Sequence, residues 1–181
     1  MRYFSIPFIL LFLSTCNQAG DTAPLRTEET EQATYQVWKE ATELGYYKTG
    51  PIELSLNEVR VIDAEWHISF IVDGLDSTEG SYIYVNYDVF AEEVDEELIF
   101  DTDHFTLEVN GEEILEEVDL HISNGIEWQI ITDSPLEKRM YFPLKTVQAA
   151  DVEQVTFMVK APFDGNGNPI DKPIRVDDVF K

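Results

Sequence analysis

The stretch SYIYVNYDVF, residues 81–90, alternates between two kinds of side chain along most of its length. One phase is apolar and consists of Ile83, Val85, Tyr87 and Val89. The other phase consists of Tyr82, Tyr84, Asn86 and Asp88. Because successive side chains of a β-strand point to opposite faces of its sheet, this period of two predicts a strand. We expect the first phase to face a core and the second to face outward.

Segments with the same period lie on both sides of this stretch. They span residues 52–61, 66–72, 105–109, 118–122, 128–130, 140–142 and 155–159, with an edge strand at 174–176. Leu56 and Val59 carry opposite phases, which predicts a bulge near Asn57-Glu58, because a slip of one residue reverses every side chain. Asn110-Gly111 and Asn124-Gly125 predict turns. About eight short strands predict an all-β fold, an antiparallel β-sandwich, with a small barrel as the alternative.

The N-terminus has the pattern of a bacterial lipoprotein signal. Arg2 precedes an apolar run of 11 residues that ends at Leu13, and Ser14, Thr15 and Cys16 follow. The run is shorter than the roughly 20 residues that cross a bilayer, and its basic, apolar and small-residue parts match a secretion signal. We therefore expect residues 1–15 to be removed and Cys16, the one cysteine in the sequence, to carry a lipid at the extracytoplasmic face of the membrane. The alternative is an ordinary signal cut elsewhere.

Residues 16–50 are expected to form a polar tether with a short helix. Ala33, Val37, Ala41 and Leu44 recur at spacings of four, four and three, which places them on one face of a helix that Gly45 would end. Such a helix would pack on the edge of the domain or bind a partner. The β-sandwich domain is then expected to span residues 51–181.

A short motif resembles a known domain family. The run FDTDHFTLEVNG, residues 100–111, follows the strand at residues 82–90 and a lipobox N-terminus. This combination is similar to the telokin-like, immunoglobulin-fold domain of surface lipoproteins in Gram-positive bacteria. The resemblance covers roughly residues 51–163 and implies an immunoglobulin-like sandwich outside the membrane. It supplies no activity, because members of that family are mostly uncharacterised.

The charge of the chain excludes one class of partner. Asp and Glu number 36 against 12 Lys and Arg, and the formal net charge is −24. Nucleic acid is excluded as a partner because contacts to phosphate require Lys and Arg. Acidic clusters at residues 92–97 and 112–117 are interpreted as solvated surface, with binding of cations or of a basic partner as the alternative.

No catalytic pattern is recognisable in the sequence. His67, His104 and His121 each fall on the polar phase of a predicted strand and are interpreted as lying on solvated faces. None has a nucleophile and an orienting carboxylate arranged around it in sequence, and the common catalytic and cofactor motifs are missing. We therefore expect no enzyme activity and no cofactor. The alternative is a hydrolase or carbohydrate-active module whose carboxylate site is not recognised.

One segment has the oxygen-rich character of a calcium loop. DGNGNPID, residues 164–171, offers oxygen ligands at alternate positions, but Pro169 and Arg175 stand where an EF-hand needs Gly and Glu. Asn-Gly and Asn-Pro pairs also form turns, so a turn is the preferred interpretation and no metal ligand is assigned. A calcium-binding surface module is the alternative.

Taken together, the sequence predicts a lipid-anchored, non-enzymatic protein that binds another protein or a component of the cell envelope. Tyr82 and Tyr84, with Asn86 on the same face, would form the contact surface, because tyrosine is common at recognition sites. The alternative is that these tyrosines pack across strands or beneath a second layer.

Replacing Cys16 with serine should release or mislocalise the protein and leave the fold intact, because the variant has no thiol to carry lipid. Fractionation of cells into membrane and medium, with circular dichroism of the released protein, measures both effects. Retention of Cys16→Ser in the membrane fraction would contradict the lipoprotein assignment.

Overall fold

A computed structural model describes residues 23–67, 78–91, 98–124 and 136–181. The described residues form nine strands in two antiparallel sheets and contain no α-helix. The first sheet has the order β1-β2-β3-β4-β7 and the second has the order β6-β5-β8-β9. The strands are β1 (Arg26–Glu29), β2 (Ala33–Thr49), β3 (Ile52–Trp66), β4 (Glu79–Ala91), β5 (Phe105–Val109), β6 (Glu113–Leu115), β7 (Leu136–Pro143), β8 (Val155–Val159) and β9 (Ile174–Val176).

The main core lies between the two sheets. Ile83 and Val85 of β4 and Leu107 and Phe157 of the second sheet are fully buried in one hydrophobic cluster. The whole apolar phase of residues 82–89 faces this core, as predicted from its alternation. Two antiparallel sheets that share one core form the sandwich-like, all-β arrangement that the strand pattern predicted.

The predicted bulge lies in the middle of β3. Pairing with β4 passes from Leu56 opposite Tyr87 to Glu58 opposite Asn86, so Asn57 has no partner in the register. The extra residue lets Leu56 and Val59, which have opposite sequence phases, both point into the core. The prediction of a bulge near Asn57-Glu58 is confirmed.

The predicted N-terminal helix is wrong, because its residues form β2. This strand pairs with β3 along its length, with register shifts between Val37 and Lys39 and between Thr42 and Gly45. Spacings of four, as between Ala33 and Val37, occur on one face of a strand as well as of a helix. The spacing of three between Ala41 and Leu44 crosses the second shift, so the whole series imitates a helix. Gly45, expected to end the helix, instead adopts a φ of 122° at the second shift. Residues 26–49, assigned to the tether, therefore supply two strands of the first sheet.

Other sequence predictions have mixed outcomes. The strands at residues 105–109, 140–142, 155–159 and 174–176 are confirmed, as is the Asn110-Gly111 turn, where both φ angles are positive. The strand predicted at residues 118–122 is wrong: Leu120 is exposed, and the N–H of Ser123 closes a turn on the carbonyl oxygen of Asp119. The predicted strand at 66–72 lies outside the described residues beyond His67, as do residues 128–130 and the glycine of Asn124-Gly125.

A buried carboxylate fixes the loop that follows β7. Glu113 of β6 accepts hydrogen bonds from the backbone N–H groups of Lys145 and Thr146 at 2.9 Å and of Val147 at 3.1 Å. Burial alone would raise the pKa of Glu113, but these three donors outweigh it and lower the pKa below its usual value. The ionised side chain thus connects the end of the first sheet to the edge of the second.

Glu113→Gln should lower the free energy of unfolding by about 1–3 kcal/mol at neutral pH, because an amide replaces a charged acceptor of three N–H groups. A lowered pKa means that the contribution is present above the ordinary value of about 4.3 and is lost as the pH falls through the folded-state value. Urea denaturation at several pH values tests this. Glu112→Gln, a change at an exposed neighbour, is the control. If the free energies of unfolding of Glu113→Gln and the parent protein differed by the same amount down to pH 2, the proposed role of the ionised Glu113 would be contradicted.

Candidate functional site

The outer face of the first sheet carries a cluster of aromatic side chains. We call Tyr35, Trp66, Tyr82, Tyr84 and Tyr141 the aromatic cluster. The Trp66 ring lies at its centre, with edge contacts to Tyr35, Tyr82 and Tyr141 at centroid distances of 5.8, 6.3 and 5.9 Å. Edge-to-face contacts of this kind are favourable and restrict ring orientation. The outer face of the sheet is therefore held rigid by its own side chains.

The two tyrosines that the sequence predicted as a contact surface, Tyr82 and Tyr84, have different surroundings in the structure. Tyr82 is 7% exposed and packs inside the cluster, so for this residue the alternative of packing across strands is confirmed. Tyr84 is half-buried at the rim of the cluster, opposite Tyr141 of β7 in the sheet register. Tyr84, and not Tyr82, is among the described residues that line a cavity next to the cluster.

That cavity is a cleft of about 350 Å³, which we call the tyrosine cleft. Tyr35, Tyr84 and Tyr141 supply its rings, and Arg60 and Arg139 supply its cationic groups. The end of β1 and the turn that follows it form the remaining wall, from Glu28 to Gln32. The volume falls within the range of roughly 300–1,000 Å³ that is usual for small-molecule sites.

The floor of the cleft borders an ion-pair network on β1, β2 and β3. The guanidinium of Arg60 lies 3.1 Å from Glu28, 3.0 Å from Glu40 and 2.6 Å from Glu58. Arg26 also contacts Glu40, at 2.6 Å. The hydrogen bond from Arg26 lowers the pKa of Glu40, whereas burial raises the pKa of Glu58 despite its contact with Arg60. The cations of this network are therefore neutralised within the protein.

The second arginine of the cleft is neutralised in the same way. The Nε and Nη2 groups of Arg139 both donate to one carboxylate oxygen of Glu137, at 3.0 and 2.9 Å. Asn86 donates to the same oxygen at 2.8 Å. About half of the Arg139 side chain remains exposed, so it can still donate to a ligand. The cleft thus offers hydrogen-bond donors without a strong net positive charge.

The phenols of the cleft remain neutral at physiological pH. Burial raises the pKa values of Tyr35, Tyr84 and Tyr141 above the ordinary value for tyrosine. Each therefore keeps a hydroxyl that both donates and accepts hydrogen bonds. Neutral phenols that hold their protons are unsuited to act as bases, and this fits a surface that binds better than one that performs proton transfer.

A second cleft, of about 450 Å³, lies at one end of the first sheet. Its acidic groups include Asp63, Glu65 and Glu79. Asp63 is engaged within the protein, since its two carboxylate oxygens accept from Trp38 at 2.7 Å and from Ser81 at 2.5 Å. Across the described ranges, no three His, Cys, Asp or Glu side chains come together as metal ligands would.

The three histidines occupy unrelated surroundings. His121 is exposed, and His67 is half-buried within 3.3 Å of the Thr34 hydroxyl. The expectation of a solvated face is wrong for His104, which is 3% exposed. A 3₁₀ turn at Thr102–His104 interrupts the strand phase and brings the ring between Phe100 and Phe163, with Nδ1 2.8 Å from an Asp101 carboxylate oxygen. This geometry stabilises the turn, because the two side chains form a capping box.

Residues 164–171 form the turn that the sequence favoured. One carboxylate oxygen of Asp164 accepts from the backbone N–H groups of Asn166 at 2.9 Å and Asn168 at 2.8 Å. The contacts with Asn168 lower the pKa of Asp164. Asp171 accepts from the backbone N–H of Gly50 at 2.6 Å. These carboxylates therefore accept hydrogen bonds from backbone N–H groups, whereas the calcium interpretation would have made them metal ligands.

Sequence reasoning missed four of the five principal cleft residues, namely Tyr35, Tyr141, Arg60 and Arg139. Tyr141 alternates with buried Met140 and Phe142, so its outward phase was readable. Residues 61–137 contain no Lys or Arg, and Arg60 ends the sequence before this stretch while Lys138 and Arg139 follow it, which was the available signal. Tyr35 was hidden because its strand imitates a helical period.

Cys16 and the rest of the predicted signal lie outside the described residues. Within residues 23–67, 78–91, 98–124 and 136–181, no helix has the length and apolar character needed to cross a membrane. No known protein family, curated protein or solved structure matches this chain.

Proposed function

We propose that this chain is a lipid-anchored, non-enzymatic binding protein at the extracytoplasmic face of a bacterial membrane. Cys16 carries the anchor, and the tyrosine cleft is the ligand site. The observation that carries the proposal is a cavity of small-molecule size whose walls are half-buried tyrosine rings. Three half-buried tyrosines around an open cavity are suited to contact a ligand, because tyrosine combines an apolar ring with a polar end.

The chemistry of the cleft favours binding over catalysis. Its arginines contact glutamates of the protein, and its phenols hold their protons because burial raises their pKa values. Glu40 and Glu58 contact Arg60 and are absent from the described lining of the cleft. Glu28 does line the cleft but contacts Arg26 and Arg60, so Glu31 is the one carboxylate among the described lining residues that lies outside these ion pairs. A general acid and base would need to face the substrate.

The proposed location rests on the N-terminal sequence, and the fold family is part of the same proposal. We propose that the two sheets form an immunoglobulin-like domain related to the telokin-like domains of surface lipoproteins. Two antiparallel sheets around one core agree with this, and the sole cysteine lies in the signal, so core burial must replace the usual disulfide. A net charge of −24 would repel an anionic membrane surface, and a lipid on Cys16 would oppose that repulsion.

Tyr84→Ser should reduce binding to cell envelopes at least tenfold, because it removes a ring from the cleft wall without opening the main core. The test uses the mature chain, residues 16–181, with Cys16→Ser so that no lipid contributes. Co-sedimentation with washed envelopes gives the bound fraction.

Tyr46→Ser is the matched control, because Tyr46 also lies in the first sheet, on β2, is 57% exposed and does not line the cleft. The control should bind as the parent protein does, and both variants should unfold at a similar urea concentration. Equal binding by Tyr84→Ser and the parent protein, or no binding by either, would overturn the proposal.

A further inference from the structure

We infer that the ligand of the tyrosine cleft is an uncharged glycan of the cell envelope, bound by stacking on tyrosine and by hydrogen bonds to hydroxyl groups. This inference rests on the proposed function, since it names the ligand class of the same site. It follows from the charge of the cleft, the rigidity of its rings and its inventory of donors and acceptors.

The charges of the site disfavour an ionic ligand of either sign. Arg60 has three carboxylate partners and Arg139 is paired with Glu137, so neither cation is available as an isolated charge. The chain as a whole has a formal net charge of −24, which repels anions over a distance that becomes shorter as the salt concentration rises. A small cation would have to displace arginines from the glutamates of the network, because Glu31, the cleft carboxylate outside the network, supplies too few of the six to eight oxygen ligands that Ca²⁺ takes. An uncharged polar ligand meets neither obstacle.

The rings of the cleft suit the apolar face of a sugar. A pyranose has a face of C–H groups, and an aromatic ring presents a negative face that attracts the positive edge of such groups. The ring centroids of Tyr84 and Tyr141 lie 5.0 Å apart, and the two ring planes are inclined by 56°. The two rings therefore provide two inclined walls. Trp66 holds Tyr35 and Tyr141 in edge contacts, so little side-chain freedom is lost on binding.

The polar groups of the cleft are complementary to the neighbouring hydroxyl groups of a sugar, each of which donates and accepts hydrogen bonds. The planar guanidinium of Arg139 donates through several N–H groups, and the tyrosine hydroxyls both donate and accept hydrogen bonds. Glu31 and Gln32, both exposed at the rim, add acceptors and a second donor. An arginine that already contacts Glu137 remains oriented for a ligand, because the carboxylate restricts its rotamers.

A protein partner fits the site less well. A stable protein interface buries about 800 Å² on each partner and centres on exposed aromatic or apolar anchors. None of the exposed large hydrophobic side chains in the described part of the chain lines this cleft. The recessed rings and polar rim resemble a small-molecule site more than a protein-docking surface.

The test divides the envelope of the source bacterium into named probes. Washed envelopes are digested with protease, and the released polysaccharide is separated by anion exchange into a neutral and an acidic fraction. A portion of the neutral fraction is oxidised with periodate, which cleaves the bond between carbons bearing neighbouring hydroxyls. Binding of the mature Cys16→Ser chain to each probe is measured by biolayer interferometry.

The inference predicts binding to the neutral fraction, and this binding should fall at least tenfold after periodate treatment. Tyr84→Ser and Arg139→Gln should each weaken binding about tenfold, whereas the Tyr46→Ser control should change it less than twofold. Binding should vary little between 50 and 500 mM NaCl, because no charge on the ligand is recognised.

Two results would overturn the inference and leave the proposed binding function in place. One is cleft-dependent binding that protease digestion abolishes, which identifies a protein partner. The other is cleft-dependent binding to the acidic fraction alone with strong salt dependence. Absence of Tyr84-dependent binding to any probe, including intact envelopes, would overturn both the inference and the proposed function.

Discussion

The structure depends on β3 burying one apolar face from Ile52 to Val61 in the core between the sheets. Leu56 and Val59 fall on opposite sequence phases, and only the bulge at Asn57 lets both enter the core between the sheets. Without the extra residue, every side chain of one half of the strand would reverse. The hydrophobic core and the composition of the outer face are therefore consequences of one inserted residue.

The outer face of β3 carries two different surfaces in sequence. Arg60 lies beyond the bulge among three glutamates, and Ile62 and Trp66 follow within the aromatic cluster. The register places Glu40, Arg60 and Tyr84 in one row across neighbouring strands, and Tyr141 continues that row on β7. The tyrosine cleft forms at the boundary between the polar and the aromatic halves. Its rings are restricted because Tyr35 and Tyr141 pack against Trp66, and its arginines are neutralised because each contacts a glutamate.

Sequence reasoning predicted the parts of the fold in which one periodicity runs without interruption. The alternation in β4 and the phase change at Asn57 were both readable, because core burial imposes them directly. The N-terminal segment was misread because spacings of four fit a strand as well as a helix, and the second register shift of β2 adds a spacing of three between Ala41 and Leu44. The cleft was only partly predictable for the same reason. Tyr84 lies in the strand that was read correctly, whereas Tyr35 lies in β2 and its contact with Trp66 depends on pairing between strands.

The segment preceding Pro51 is an integral strand of the first sheet and contributes Tyr35 to the tyrosine cleft. Amide hydrogen exchange of the mature chain, followed residue by residue across β2 (Ala33–Thr49), tests it most directly. We expect the amides of β2 that bond to β3 to exchange as slowly as the amides of β4 that bond to β3, because each strand pairs with β3 along most of its length. Exchange of the β2 amides at the rate of an unstructured peptide, with β4 still protected, would contradict it.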